Sequence, residues 1–150
     1  MYASIVVGTD GSATASEAVI RAARLAVLDG ATLTIVSAYQ PVAKARLDAE
    51  RAEIPADLAH IISPTEDVEA VLAAARDLAE QNGARSVSLV ALDEGAAEAL
   101  LQVAEDTGAG LIVVGSQGMA GAKRFLLGSV PNRISHHAPC DVLIVKTGLA

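Results

Sequence analysis

Residues 3–9 read Ala3-Ser4-Ile5-Val6-Val7-Gly8-Thr9, and Asp10-Gly11-Ser12 follows at once. A short run that is apolar at consecutive positions and rich in β-branched side chains is the pattern of a strand buried on both faces. Buried strands of this kind belong to parallel sheets covered by helices. The reading of residues 3–9 as strand one therefore asks for a helix next, and the chain supplies one. Ser12 or Thr14 can cap it. Ala15, Ala18, Val19, Ala22, Ala23, Ala26 and Val27 recur at helical spacing, and Gly30 ends it.

Working outward, Leu33 to Tyr39 is strand two, stopped by Pro41. Residues 40–62 are charged and Ala-rich, with Lys44/Asp48 and Arg46/Glu50 at i,i+4, and read as a short exposed helix or a mobile, variable excursion. Ser63, Pro64 and Glu66 have the makings of a capping box, so helix two runs from Pro64 to Gln81 and Asn82-Gly83 closes it. Val87 to Leu92 is strand three, Ala96 to Asp106 helix three, Leu111 to Gly115 strand four, Val130 to His137 helix four and Val142 to Lys146 strand five. Strands alternate with helices throughout, which specifies an α/β fold: a doubly wound five-stranded parallel sheet with helices on both faces. The 150 residues make one domain, and no linker or repeat divides them. Ligands of such sheets bind beyond the carboxyl ends of the strands, where strand order reverses.

Composition narrows the function. The chain is 52% hydrophobic, which excludes a disordered chain, and its net charge is -7, which repels an extended polyanion. Tyr2, Tyr39 and Phe125 are the only aromatics, so platforms for stacking nucleic-acid bases are scarce. Yet the 34 residues between Asp106 and Asp141 hold no acid, where even placement of 18 acids over 150 positions would put about 4. Lys123, Arg124 and Arg133 lie in that stretch, and a local site for a small anion fits there. A single cysteine, Cys140, excludes an intramolecular disulfide and suits a reducing compartment. With neither a signal-peptide pattern at the start nor a membrane-spanning apolar run, the expected location is cytoplasmic.

The stretch after strand four carries Gly115, Gly118, Gly121 and Gly128. Glycines permit positive φ and close approach of backbone to a ligand. The amides of Gly128, Ser129 and Val130, at the start of helix four, can face an anion with the helix dipole behind them. Two common phosphate loops are excluded: no Gly-Lys pair exists for a Walker A motif, and Gly8-Thr9-Asp10-Gly11 breaks the dinucleotide spacing. Val114 stands where a nucleophile elbow needs its first glycine, so Ser116 is not read as a nucleophile. His136 and His137 fall at the end of helix four, where a cation suits the dipole, and Cys140 reads as a small core residue. No cluster of His, Cys and carboxylates has metal-ligand spacing.

Gly115-x2-Gly118-x9-Gly128-Ser129 resembles the nucleotide motif of the universal stress protein family. The stretch from Val6 to Ser12 is similar to that family's first strand, and His137 to Val145 to its last. The resemblance implies the adenine nucleotide alpha hydrolase-like fold with strand order 3-2-1-4-5, and a homodimer formed partly through strand five, Val142 to Lys146. It also implies a nucleotide-binding set of Thr9, Asp10, Gly11, Ser37, Ala38, Tyr39, Gly115, Ser116, Gly118, Gly128, Ser129 and Val130. In that set Asp10 meets ribose or a phosphate-bound Mg²⁺, the residues around Ser37 to Tyr39 meet adenine, and the glycines with Ser129 surround ribose and phosphates. The implied ligand is ATP, although Pro131 removes one amide from the first turn of helix four; a subset of the family that looks similar around Ser37 to Tyr39 and Gly128 to Pro131 binds cyclic AMP, which makes cyclic AMP or AMP the alternative. No side chain reads as a base for attacking water, so a binding module or sensor is expected in preference to an enzyme; the alternative is slow Mg-dependent ATP hydrolysis.

Overall fold

The computed structural model describes residues 1–38, 64–116 and 129–147. The elements are β1 (Ser4–Gly8), α1 (Ala13–Asp29), β2 (Thr32–Ala38), α2 (Pro64–Gln81), β3 (Val87–Leu92), α3 (Ala96–Thr107), β4 (Leu111–Gly115), α4 (Ser129–His137) and β5 (Asp141–Val145). The five strands form one parallel sheet in the order β3-β2-β1-β4-β5. The excursion at 40–62 and the cap expected at Ser63 lie outside the described residues.

Alternation along the central strands assigns the two layers. Ile5 and Val7 of β1, with Leu33 and Ile35 of β2, pack against Ala18, Val19 and Ala22 of α1 and Leu72 and Ala75 of α2. Val6, Val36, Ile112 and Val114 face the other way, onto Leu100 and Val103 of α3 and Ile134 of α4. Residues that are apolar on both pleats thus fill two cores at once, which is why the central strands show no polar alternation. The small side chains of α1 let its backbone lie close to the sheet; Ala18, Ala22 and Ala23 are fully buried.

Ser12, not Thr14, caps α1: its hydroxyl accepts from the Ala15 amide at 3.1 Å, and Thr14 pairs with the same hydroxyl at 3.0 Å. Gly30 ends the helix in the left-handed conformation, φ 65°, donating its amide to the last carbonyls. Several strand ends shift by one residue from expectation, and β5 begins at Asp141 and ends at Val145 instead of covering Val142 to Lys146. The cause lies in register, because Gly115, the last residue of β4, is paired with Val145. Cys140 stands just before the strand and is half-buried against the α3/α4 core. At the opposite end of the sheet the Tyr2 amide donates to Asp29 and its phenol to Asp141 at 2.8 Å, tying the amino end to α1 and β5. That bond to Asp141, with smaller contributions from burial and nearby charge, raises the Tyr2 phenol above its ordinary value.

Candidate functional site

The site is built at the carboxyl ends of β1 and β4, neighbours across which the sheet order reverses. Pairing of Val7 with Val113 brings the residues just beyond them, Gly8-Thr9 and Val114-Gly115, level with one another. β1 does not stop abruptly: the Thr9 amide donates to Val36 of β2 at 3.0 Å, extending the ladder one step. The chain then turns through side-chain-to-backbone bonds. The Thr9 hydroxyl accepts from the Gly11 amide at 3.2 Å, and Asp10 Oδ1 accepts from the Ser12 amide at 2.9 Å. Such short-range bonds hold a turn without a neighbouring element. Gly11 sits at φ 84°, and a Cβ there would lie 2.8 Å from Val71 Cγ2 of α2, so the position needs glycine for conformation and for space. Asp10 is exposed at the mouth of the crevice and is not the helix cap.

Neither α1 nor α4 carries an acid in its first turn, whereas α3 has Glu98 there. The positive ends of the two helices that begin beside the crevice are therefore left uncompensated by their own side chains, which favours an anion. Arg133 does not add to this directly, because its guanidinium pairs with Glu98 Oε1 at 2.8 Å and ties α4 to α3. His136 and His137 stand exposed in the last turn of α4. Cys140 has its thiol pushed up, by burial first and then by the charge of Asp141, the opposite of an activated nucleophile.

The expected site residues fall into three groups. Thr9, Asp10, Gly11 and Gly115 come together at the crevice. Ser37 and Ala38 end β2 but face opposite layers: Ser37 follows Ile35 toward α1 and α2, while Ala38 packs with the α3/α4 core. Ser116 adjoins the crevice through its backbone, but its hydroxyl accepts from the Thr147 amide at 3.0 Å and so is turned toward the chain beyond β5. Ser129 is exposed at the start of α4, and Val130 packs into the core below it. Tyr39, Gly118 and Gly128 lie outside the described residues.

One feature had no signal in the sequence. Between the loop after β1, the first turns of α1 and the middle of α2 lies a cleft of about 270 Å³, lined by Thr9, Gly11, Ser16, Ala70, Val71 and Ala74 among others. The i,i+4 alanines of α2 would serve equally well in a packed helix face, so spacing alone does not single them out. Among the described residues no group of three His, Cys, Asp or Glu could hold a metal ion, and no helix is long and apolar enough to cross a membrane.

Residues 1–146 match the model of the universal stress protein family. The universal stress protein Rv1636 of Mycobacterium tuberculosis strain H37Rv is 39% identical over 146 residues, 97% of each chain. A putative universal stress protein of Staphylococcus epidermidis, SERP1273, is 32% identical over 97% of this chain and 85% of its own. Among solved structures, a universal stress protein in complex with cAMP is 34% identical, with 98% of each chain covered and a TM-score of 0.71. From a match that runs almost end to end in sequence and in backbone, it follows that this chain belongs to the universal stress protein family.

Proposed function

We propose that this universal stress protein domain binds an adenine nucleotide across the carboxyl ends of β1 and β4 and works as a sensor or binding module. The observation that carries the reading is the reversal of sheet order between those two strands, at a turn pre-formed by Thr9, Asp10 and Gly11 and beside two helix starts without acids. In this reading Thr9, Asp10, Gly11, Ser37, Ala38 and Tyr39 take the adenosine side, and Gly115, Ser116, Gly118, Gly128, Ser129 and Val130 the ribose and phosphates. Ser116 acts there through its backbone, since its hydroxyl serves Thr147.

ATP is the proposed ligand. A specific pair of observations favours a monophosphate as the second reading: a relative 34% identical is described in complex with cAMP, and buried Pro131 offers no amide in the first turn of α4. Mg²⁺ fits this site only as a rider on a triphosphate. Asp10 is one carboxylate, and Mg²⁺ characteristically takes one or two carboxylates together with phosphate oxygens and water. Asp10 with one oxygen held by the Ser12 amide suits a ribose hydroxyl or such an ion better than it suits the work of a base. We therefore favour binding over hydrolysis, in the cytoplasm, with the dimer seam at β5.

The test is direct. Mass spectrometry of gently denatured protein identifies a carried nucleotide, and calorimetry ranks ATP, AMP and cAMP. The reading fails if none of the three binds below millimolar concentration. Any phosphate release from ATP is expected to fall in Asp10→Ala; release that persists there unchanged removes Asp10 from the hydrolase alternative.

A further inference from the structure

The ion pair between Arg133 and Glu98 keeps a cation one turn away from the start of α4, where the nucleotide reading puts the phosphates. α3 follows β3 and α4 follows β4 in a parallel sheet, so both helices begin at its carboxyl end. Glu98 lies in the first turn of α3, and Arg133 stands four residues after Ser129, the exposed first residue of α4. Positions four apart share a helix face, and helical side chains lean back toward the amino end. The long Arg133 side chain is therefore set over the face that Ser129 opens, and its guanidinium meets Glu98 Oε1 at 2.8 Å.

The two partners are not equally free. Glu98 is held from its own side. It occupies the third position of α3, where the helix dipole favours an acid, and its other oxygen folds back over Gly95, the cap residue, so closely that a Cβ there would clash with it. Arg133 has Glu98 as its one ion-pair partner among the described residues, and its side chain is 59% exposed. A pair so open to water is screened and is worth at most about fivefold in an equilibrium constant. A ligand phosphate thus competes with one weakly held carboxylate, and charge decides the outcome. Glu98 offers a single negative charge. A terminal phosphate monoester carries between about 1.5 and 2 at neutral pH and presents three acceptor oxygens, two of which match the guanidinium fork. A cyclic diester carries one charge and gains nothing over Glu98.

We infer that Arg133 is a specificity-determining residue of the nucleotide site: it leaves Glu98 for a terminal phosphate, as in AMP or ATP, and stays with Glu98 when the ligand is a cyclic monoanion. Glu98 then sets how much charge the ligand must carry. The inference rests on the nucleotide-binding reading above, and the experiment separates the two. Calorimetry on the full chain, at pH 7.5 and fixed salt without divalent cations, measures AMP and cyclic AMP against wild type, Glu98→Gln, Arg133→Gln and the double variant. Glutamine at 98 keeps the helix-start position and removes the charge, and circular dichroism checks that each variant folds. Arg133→Gln is expected to weaken AMP by about fivefold or more and cyclic AMP by less than about twofold. Glu98→Gln frees the guanidinium and is expected to tighten AMP by about threefold to fivefold. It should tighten cyclic AMP as well, because no carboxylate is left to hold the cation back. The double variant should match Arg133→Gln. If Glu98→Gln weakens AMP as Arg133→Gln does, the pair serves only the packing of α3 on α4. If the double variant returns to wild-type affinity, the two charges act only through the general field. Either result, or an AMP affinity indifferent to Arg133, overturns the inference and leaves the nucleotide reading standing. If wild type binds neither nucleotide, both fall.

Discussion

At the scale of single residues, Gly11 is where backbone and packing demands coincide. Its φ of 84° is strained for any L side chain, and a Cβ there would crowd Val71 Cγ2 at 2.8 Å. Gly11→Ala is expected to lower stability by about 1–3 kcal/mol in urea denaturation. The double variant with Val71→Ala should recover the steric share and leave the conformational one; full recovery would mean that φ costs nothing there. Cys140 yields a pH prediction with a definite sign. Burial and Asp141 raise its pKa in the folded chain, so the fold favours the neutral thiol. The associated stability is present below the unfolded value of about 8.5 and is lost as pH rises through the native one. Iodoacetamide should therefore alkylate the native chain more slowly than the urea-unfolded chain at pH 7.5, with the gap narrowing as the solution becomes alkaline. A native thiol that reacts faster would contradict the core role of Cys140.

At the scale of elements, the caps hold the loops that form the site. Ser12→Ala removes the hydroxyl that accepts from Ala15 and should cost about 0.5–2 kcal/mol by thermal or urea unfolding. The Arg133–Glu98 pair is a different matter: its side chains are 59% and 41% exposed, so a double-mutant cycle should assign it no more than about 1 kcal/mol. Most element boundaries were legible because they are chemically abrupt. Pro64 opens α2, Asn82-Gly83 closes it, and β3 and β4 coincide with their apolar runs. Where the sequence misled by a residue, the ladder was the reason. β2 begins at exposed Thr32 because its amide donates to Ala3, a bond that no side-chain pattern signals. The Asp10-Gly11-Ser12 turn was legible from its place after a central strand. The α2 wall was not, since it exists only once α2 lies beside the start of α1, and an alanine carries no mark of which surface it will line.

At the scale of the whole molecule, two edges bound the sheet, and they are not alike. At the β3 edge the Val87 carbonyl accepts from Arg76 of α2, whereas β5 pairs among the described residues with β4 alone. Its Val142, Leu143 and Ile144 are consecutive apolar residues, all only half-buried. An apolar edge strand with open backbone groups invites another chain unless charge or a bulge protects it. Asp141 protects its beginning, and there it is engaged with Tyr2; Lys146 lies just past its end. The proposed seam has a second copy pairing along β5, with its open backbone groups as the partners. Sedimentation at micromolar protein should then give about twice the 15.2 kDa of the single chain. Ile144→Lys, a charge of the kind that natural edges use against pairing, should raise the dimer dissociation constant by at least about tenfold. Circular dichroism separates a lost seam from a lost fold, and Val142→Lys repeats the test at the other end of the strand. A variant that stays folded and dimeric in both cases would put the seam elsewhere on the molecule.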